Sequence, residues 1–295
     1  MRLRRSELST PGSNERMIEK AAASNADLVF LDLEDSVAPK EKSAARAKVA
    51  QALKTLEWGK KTRAVRINNI ETPYAYEDVI QLFEEAGEHL DLIIIPKVKA
   101  GRDVWWVDTL LTQLEAKHGR PRRIGLEVLI EEVEALINAE EIARSSPRLE
   151  TLIFGPGDFS ASQGVRVRAM GSYPGDLWHY ARNKIVVAAR AAGIEAIDGP
   201  YANIRNPDGY REEAMRSSVL GFVGKWAIHP SQIDIANEVY SPSQEEVDFA
   251  RRLVKAYAEA EAEGLGSVAV NGVMVDAASV RILRSVITRA DLIGM

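Results

Sequence analysis

Short runs of aliphatic and β-branched residues recur along the chain, each followed by a stretch of helical length, and this alternation predicts βα units around a parallel sheet. Eight such runs stand out, at residues 3–10, 28–35, 62–68, 92–98, 124–131, 151–156, 194–199 and 221–228. Eight strands separated by helix-length segments fit a (β/α)8 TIM barrel better than an open doubly wound sheet, which more often carries a glycine-rich first turn. Neither GxGxxG nor GxxxxGK[ST] occurs.

Beyond the eighth run the pattern changes. "SPSQEEVDFARRLVKAYAEAEAEG" predicts a helix with Ser241 as N-cap, Pro242 at the first helical position, Gln244 closing a capping box and Gly264 as the stop. "SVAVNGVMVD" then reads as two short strands joined by Asn271-Gly272, a dipeptide suited to the two positive-φ positions of a type I′ turn. An amphipathic stretch over 277–293 predicts a last helix. The organisation expected is a barrel domain over 1–235 and a helix, hairpin and helix extension over 236–295, which must pack on this subunit or on another.

Composition narrows the class. The chain has 295 residues, 46% of them hydrophobic, which is ample for a sizeable core. Its 38 basic and 43 acidic residues give a net charge of -5 and are spread rather than blocked into tails, so neither nucleic acid nor a membrane surface is suggested as a partner. Cysteine is absent, which excludes disulfides, thiolate metal sites and a cysteine nucleophile and fits a reducing cytoplasm. The basic N-terminus runs into polar residues without an apolar segment, and no later apolar run approaches spanning length, so a soluble, untargeted protein is expected.

The chemistry gathers at the strand ends, where a barrel of this kind carries its site. The second run ends in Glu34 and Asp35, the third in Arg66-Ile67-Asn68, the fourth in Pro96-Lys97, the fifth holds Glu127 and Glu131, and the sixth leads into Gly155-Pro156-Gly157-Asp158. Side chains alternate along a strand, so Arg66 shares a face with Ala64 and Asn68, and Glu131 shares one with Glu127 and Leu129. A buried guanidinium and buried carboxylates need partners, and each can supply the other. With four histidines and no cysteine, carboxylates are the obvious ligands for a metal, and hard oxygen donors on short strand ends suit Mg²⁺ or Mn²⁺. The competing expectation is that these charges only form ion pairs capping the barrel.

"LVFLDLEDSV", "AVRIN", "IIIPKV", "LEVLIE", "GPGDFSAS" and "GKWAIHPSQ" occur in order and together resemble the CitE-like branch of the HpcH/HpaI aldolase and citrate lyase superfamily, with malyl-CoA and β-methylmalyl-CoA lyases nearest. The resemblance runs from about Arg5 to the C-terminus. It implies a Mg²⁺-dependent barrel that reversibly cleaves a 3-hydroxyacyl-CoA to glyoxylate and acetyl-CoA or propionyl-CoA. By motif, Glu131 and Asp158 resemble the metal ligands, Glu34 and Asp35 the residues holding the metal's waters, and Arg66 the arginine that contacts the substrate's carbonyl oxygens. "GVMVDAAS" resembles the segment whose aspartate, here Asp276, reaches a neighbouring subunit's site as the base, which implies a homotrimer or hexamer. The simpler role for Asp276 is N-cap of the last helix.

For the CoA moiety the resemblance points to the turn at Pro11 and Gly12 and to Lys20. Relatives often carry arginine directly after that turn, whereas this chain has Asn14 and then Arg16, one turn away. Lys97 is expected either to neutralise part of the acidic cluster or to form a purely structural ion pair, Asp32 and Glu127 to be buried structural partners, and His229 and His179 to be structural. The loop 164–176 is expected to shape the substrate pocket. Rival activities on the same motifs are citramalyl-CoA lyase, malyl-CoA thioesterase or a malate synthase-like reaction; more distant rivals are a CoA-independent pyruvate aldolase and a non-catalytic subunit.

Overall fold

Eight parallel strands close into a barrel in strict chain order, the first pairing with both the second and the last. The computed structural model describes residues 2–120, 123–166 and 175–295. The barrel elements are β1 (Ser6–Pro11), α1 (Glu15–Ala22), β2 (Leu28–Asp32), α2 (Lys42–Thr55), β3 (Thr62–Arg66), α3 (Ala75–Ala86), β4 (Leu92–Ile95), α4 (Gly101–His118), β5 (Gly125–Ile130), α5 (Val133–Ile137), α6 (Ala139–Ala143), β6 (Leu149–Phe154), α7 (Pro156–Ser162), α8 (His179–Ala191), β7 (Glu195–Asp198), α9 (Pro207–Leu220) and β8 (Gly224–Ala227). A short α10 (Ile233–Val239) leads to α11 (Gln244–Ala262), β9 (Ser267–Val270), β10 (Val273–Asp276) and α12 (Ala277–Ile293).

All eight expected strands are present, and most are shorter than the apolar runs that announce them. Alternation fills the barrel: Leu28 and Phe30, Ala64, Leu92 and Ile94, Leu129, Ile153, Ile197 and Trp226 form one buried cluster. Burying such side chains stabilises the fold by roughly 1.5–3 kcal/mol each. Asp32 and Arg66 are register partners on adjacent strands and continue the inward faces of β2 and β3, so pleat and register alone bring this acid and this base together at the top of the core.

The opposite end of the barrel carries an ion cluster of its own. Buried Arg4 pairs with Glu127, and also with Glu150 at 2.6 Å and Glu195 at 3.3 Å. Glu127 is thus a pair partner of Arg4, in line with its structural expectation. Between the sheet and its helices, Lys225 of β8 is register partner to Asp198 of β7 and holds it at 2.8 Å, while Arg182 of α8 reaches the same carboxylate at 3.0 Å.

The chain divides into two compact units, Arg4–Asn237 and, with the extreme N-terminus, Glu238–Met295. In the second unit Leu253, Tyr257, Val275 and Val280 make a small core of their own. The helix expected to begin at Ser241 starts two residues later. Ser243 is the N-cap, its hydroxyl accepting from Glu246 N at 3.2 Å while the Glu246 carboxylate accepts from Ser243 N at 2.7 Å. That frame wins over Ser241 and Gln244 because it places two acids, Glu245 and Glu246, in the first turn, where the helix dipole favours negative charge. Asn271 and Gly272 have φ values of 51° and 79°, as a type I′ hairpin requires. No helix among the described residues is long and apolar enough to cross a membrane.

Candidate active site

Asp32 organises the mouth of the barrel. Its Oδ1 accepts from Glu34 N at 2.9 Å and its Oδ2 from Ser36 N at 3.1 Å, which satisfies the main chain locally and ends β2 at Asp32. Glu34 and Asp35 therefore stand on the loop beyond the strand, a correction to the expected strand over 28–35. Lys42, at the start of α2, ties that loop down by donating to Leu33 O at 2.9 Å and Glu34 O at 3.0 Å.

Arg66 forks onto Asp32, with Nε to Oδ1 and Nη2 to Oδ2 both 2.7 Å, and its guanidinium lies 5.6 Å from the centre of the Trp226 ring. Bidentate pairing and the aromatic floor fix its plane. Burial alone would raise the Asp32 carboxyl, but Arg66, with the N–H groups of Ser36 and Glu34, more than offsets that and holds it below the ordinary carboxylate range. The remaining guanidinium nitrogen faces the mouth, 3.1 Å from Glu34 Oε2 and 3.5 Å from Asp35 Oδ2.

Glu131 is the first residue beyond β5 and is buried. Its neighbour across the sheet must be glycine: a Cβ on Gly155 would come within 2.5 Å of Glu131 Cβ and 2.9 Å of its Oε2. Burial and the charge of Glu34 push the Glu131 carboxyl up to about 8. Burial also raises Glu34, although Arg66 and Lys97 oppose the shift. Asp158 projects from the first turn of α7 and is half-exposed.

Lys97 joins these acids. Its backbone, at a φ of 51°, donates N–H to Glu131 Oε1 at 2.8 Å. Its ammonium lies 2.7 Å from Glu34 Oε1, 3.4 Å from Asp35 Oδ1 and 3.6 Å from Asp158 Oδ2. The structure thus gathers Glu34, Asp35, Arg66, Glu131 and Asp158 as a single site. Sequence reasoning gave too little weight to Lys97, and it passed over Lys42 and Trp226 altogether. Lys97 had its place just past a strand end as a signal; Lys42, at the start of α2, and Trp226, within β8, had none.

Other expected residues lie elsewhere. Gly12 closes β1 onto β2, donating N–H to Asp32 O at 2.8 Å; a Cβ there would meet that oxygen at 2.8 Å. Pro11 ends β1, while Arg16 and Lys20 are exposed on α1. A cleft of about 480 Å³ opens between the start of α1 and α2, lined by Ser13, Asn14, Glu15, Glu41 and Lys48 among others. Asp276 is the N-cap of α12, Oδ1 accepting from Ser279 N and Oγ at 2.8 Å. His229 caps the 3-10 turn Pro230–Gln232 by accepting from Ser231 N, and His179 opens α8 beside Asn183. Of the loop 164–176, residues 167–174 lie outside the described residues.

Among the described residues no group of three or more acidic or histidine side chains is gathered as a ready metal cage. The carboxylates surround an ammonium instead, and the donors suit a hard divalent cation. All are oxygens, a cationic group already occupies their midst, and buried Glu34 Oε2 has no hydrogen-bond partner although Arg66 is near. Glu131 and Asp158 could bind such an ion directly, with Glu34 and Asp35 around it.

The sequence profile of the HpcH/HpaI aldolase/citrate lyase family matches residues 5–230. The chain is 43% identical to the L-malyl-CoA/β-methylmalyl-CoA lyase of Cereibacter sphaeroides, over 98% of this chain and 95% of that one. It is also 43% identical to the enzyme of the same name from Rhodobacter capsulatus, over 99% and 96%. Among solved structures, the CitE protein of Mycobacterium tuberculosis in complex with magnesium, acetoacetate and coenzyme A superposes with a TM-score of 0.75, at 28% identity and 97% coverage of both chains.

Proposed function

The chain belongs to the HpcH/HpaI aldolase/citrate lyase family, and from that premise we propose a magnesium-dependent carbon–carbon lyase that reversibly cleaves L-malyl-CoA and β-methylmalyl-CoA to glyoxylate and acetyl-CoA or propionyl-CoA. The observation that carries this reading is the convergence of Glu34, Asp35, Arg66, Glu131 and Asp158 on one barrel mouth, in a chain so similar end to end to lyases of that name.

In this reading Glu131 and Asp158 would hold the cation, and Glu34 and Asp35 would hold its waters. The bound cation supplies Lewis acidity at the oxo-acid carbonyl and neutralises charge developing on the thioester oxygen. Arg66, locked by Asp32, turns its free edge to the substrate's carboxylate and carbonyl oxygens, and its fixed plane sets their orientation before reaction. In the condensing direction Asp276 of a neighbouring subunit takes the α-proton of the acyl-CoA. The C–H electron pair forms the enolate, which attacks the aldehyde carbon of glyoxylate, and the resulting alkoxide takes up a proton. Cleavage retraces these steps, Asp276 returning the proton to carbon. Burial lowers water activity around the enolate.

Asp276 enters such a site only in an assembly, so a homo-oligomer, trimer or hexamer, belongs to this reading. It is supported by Met274 and Ile282, large apolar side chains exposed on the C-terminal unit at 72% and 69%. The cleft beside α1 and α2 is a place for the nucleotide end of CoA, with Lys48 in its lining and Arg16 and Lys20 exposed on α1. The cysteine-free composition supports the cytoplasm.

The test is cleavage of L-malyl-CoA with Mg²⁺ and with EDTA. Wild type releases glyoxylate only with the metal; Glu131→Ala and Asp158→Ala lose it while keeping native circular dichroism. Asp276→Asn, which keeps the helix cap, loses turnover and regains part of it when mixed with Arg66→Ala under conditions of subunit exchange. Normal activity in either metal-ligand variant sinks the metal assignment, and no recovery despite exchange sinks the shared site.

A further inference from the structure

Among the described residues Lys97 touches four acids of the mouth, Glu34, Asp35, Glu131 and Asp158. Its main chain donates to Glu131, and its ammonium faces Glu34, Asp35 and Asp158. We propose that Lys97 is an internal counter-ion: its ammonium holds these carboxylates together in the cation-free protein and vacates that place when a divalent cation binds.

The inference rests on the reading that this mouth binds a divalent cation; what it adds is a second occupant. Arg66 cannot fill the role, because its guanidinium is forked onto buried Asp32 and laid on Trp226. Lys97 presents a compact charge on a flexible stem, with its side chain 22% exposed and able to swing outwards. Its anchor stays behind. The left-handed backbone of a non-glycine residue is a strained arrangement that persists only where its surroundings determine it, and here the N–H bond to Glu131 does so. Side-chain departure therefore leaves the main chain, and with it Glu131, in place.

The physics is a competition. An ammonium and a divalent ion a few ångströms apart repel in a partly buried site, so one must leave as the other enters. Without either, four carboxyl groups are crowded together with no cation between them, Glu131 and Glu34 out of solvent. The lysine thus keeps the empty site in shape at the cost of some cation affinity.

Calorimetric titration of Mg²⁺ into the whole protein tests this, with melting followed in EDTA and in saturating Mg²⁺. Lys97→Met should bind Mg²⁺ about tenfold tighter than wild type and melt lower in EDTA by a few degrees, a gap that closes with Mg²⁺. Lys97→Arg, which keeps the charge, should stay within about threefold of wild-type affinity, and Lys97→Gln replaces the methionine variant if that one does not fold. Equal or weaker Mg²⁺ binding in the neutral variants overturns the counter-ion role while leaving the cation site intact. No binding by wild type removes the cation reading itself, and this inference with it.

Discussion

A carboxylate inside a barrel stays ionised only if a cation is pinned to it, and Asp32 with Arg66 shows what the pairing accomplishes. One acid sets the plane of the guanidinium and, by capping Glu34 N and Ser36 N, aims the two acids that follow. Asp32→Asn strips buried Arg66 of its bidentate partner and leaves only the single contacts of its outer nitrogen with Glu34 and Asp35. It is expected to cost about 3–5 kcal/mol of stability and, through displacement of the guanidinium, about 100-fold in kcat/KM. Denaturant titration and steady-state kinetics check both, and an unchanged kcat/KM would refute the positioning role. This pair was legible in part: Asp32 was expected to be a buried structural partner, and a buried guanidinium at Arg66 needed an acid. That they are register neighbours, with Asp32 ending its strand, depends on a partner 34 residues away. Lys97 was less legible still, since a non-glycine φ of 51° leaves no mark in the hydrophobic pattern and its ammonium's direction follows from that backbone.

At the scale of elements, the eight apolar runs disclosed the strands because buried parallel strands must be nearly continuous hydrophobic segments. Their ends were harder to place: Asp32 and Ser243 both fix boundaries through side chain to backbone bonds that have equally plausible alternatives nearby in sequence. The network joining β7, β8, α8 and α9 gives a measurable consequence. Burial alone would raise Asp198, but Lys225 and Arg182 more than offset it and hold it below the ordinary carboxylate range. A group with a depressed folded pKa contributes stability above its unfolded value near 4, and loses it as pH falls through the folded value. Unfolding free energy should therefore be insensitive to this group through neutrality and fall below about pH 4. Asp198→Asn should lose about 3–5 kcal/mol at pH 7, because it removes the buried acid that Lys225 and Arg182 share and leaves Glu213 between two cations. Denaturation curves across pH test it; an Asn variant as stable as wild type at pH 7 would show that the ion cluster holds nothing.

The molecule as a whole joins a barrel, whose mouth carries acids and an arginine fixed by Asp32, to a C-terminal unit with exposed apolar residues and an aspartate spent, within its own chain, on a helix cap. The barrel was legible from periodicity and the acids from their places at strand ends. The C-terminal unit's part in the proposed assembly was not, because no pattern within one chain discloses a partner surface, and Arg16 and Lys20, exposed on α1, meet no ligand within the chain that would give them a role. The account turns on one reaction. The protein, Mg²⁺, acetyl-CoA and glyoxylate should yield malyl-CoA by mass, propionyl-CoA in place of acetyl-CoA should yield methylmalyl-CoA, and EDTA should stop both. No condensation product from glyoxylate, or one only when pyruvate replaces it, would contradict the account.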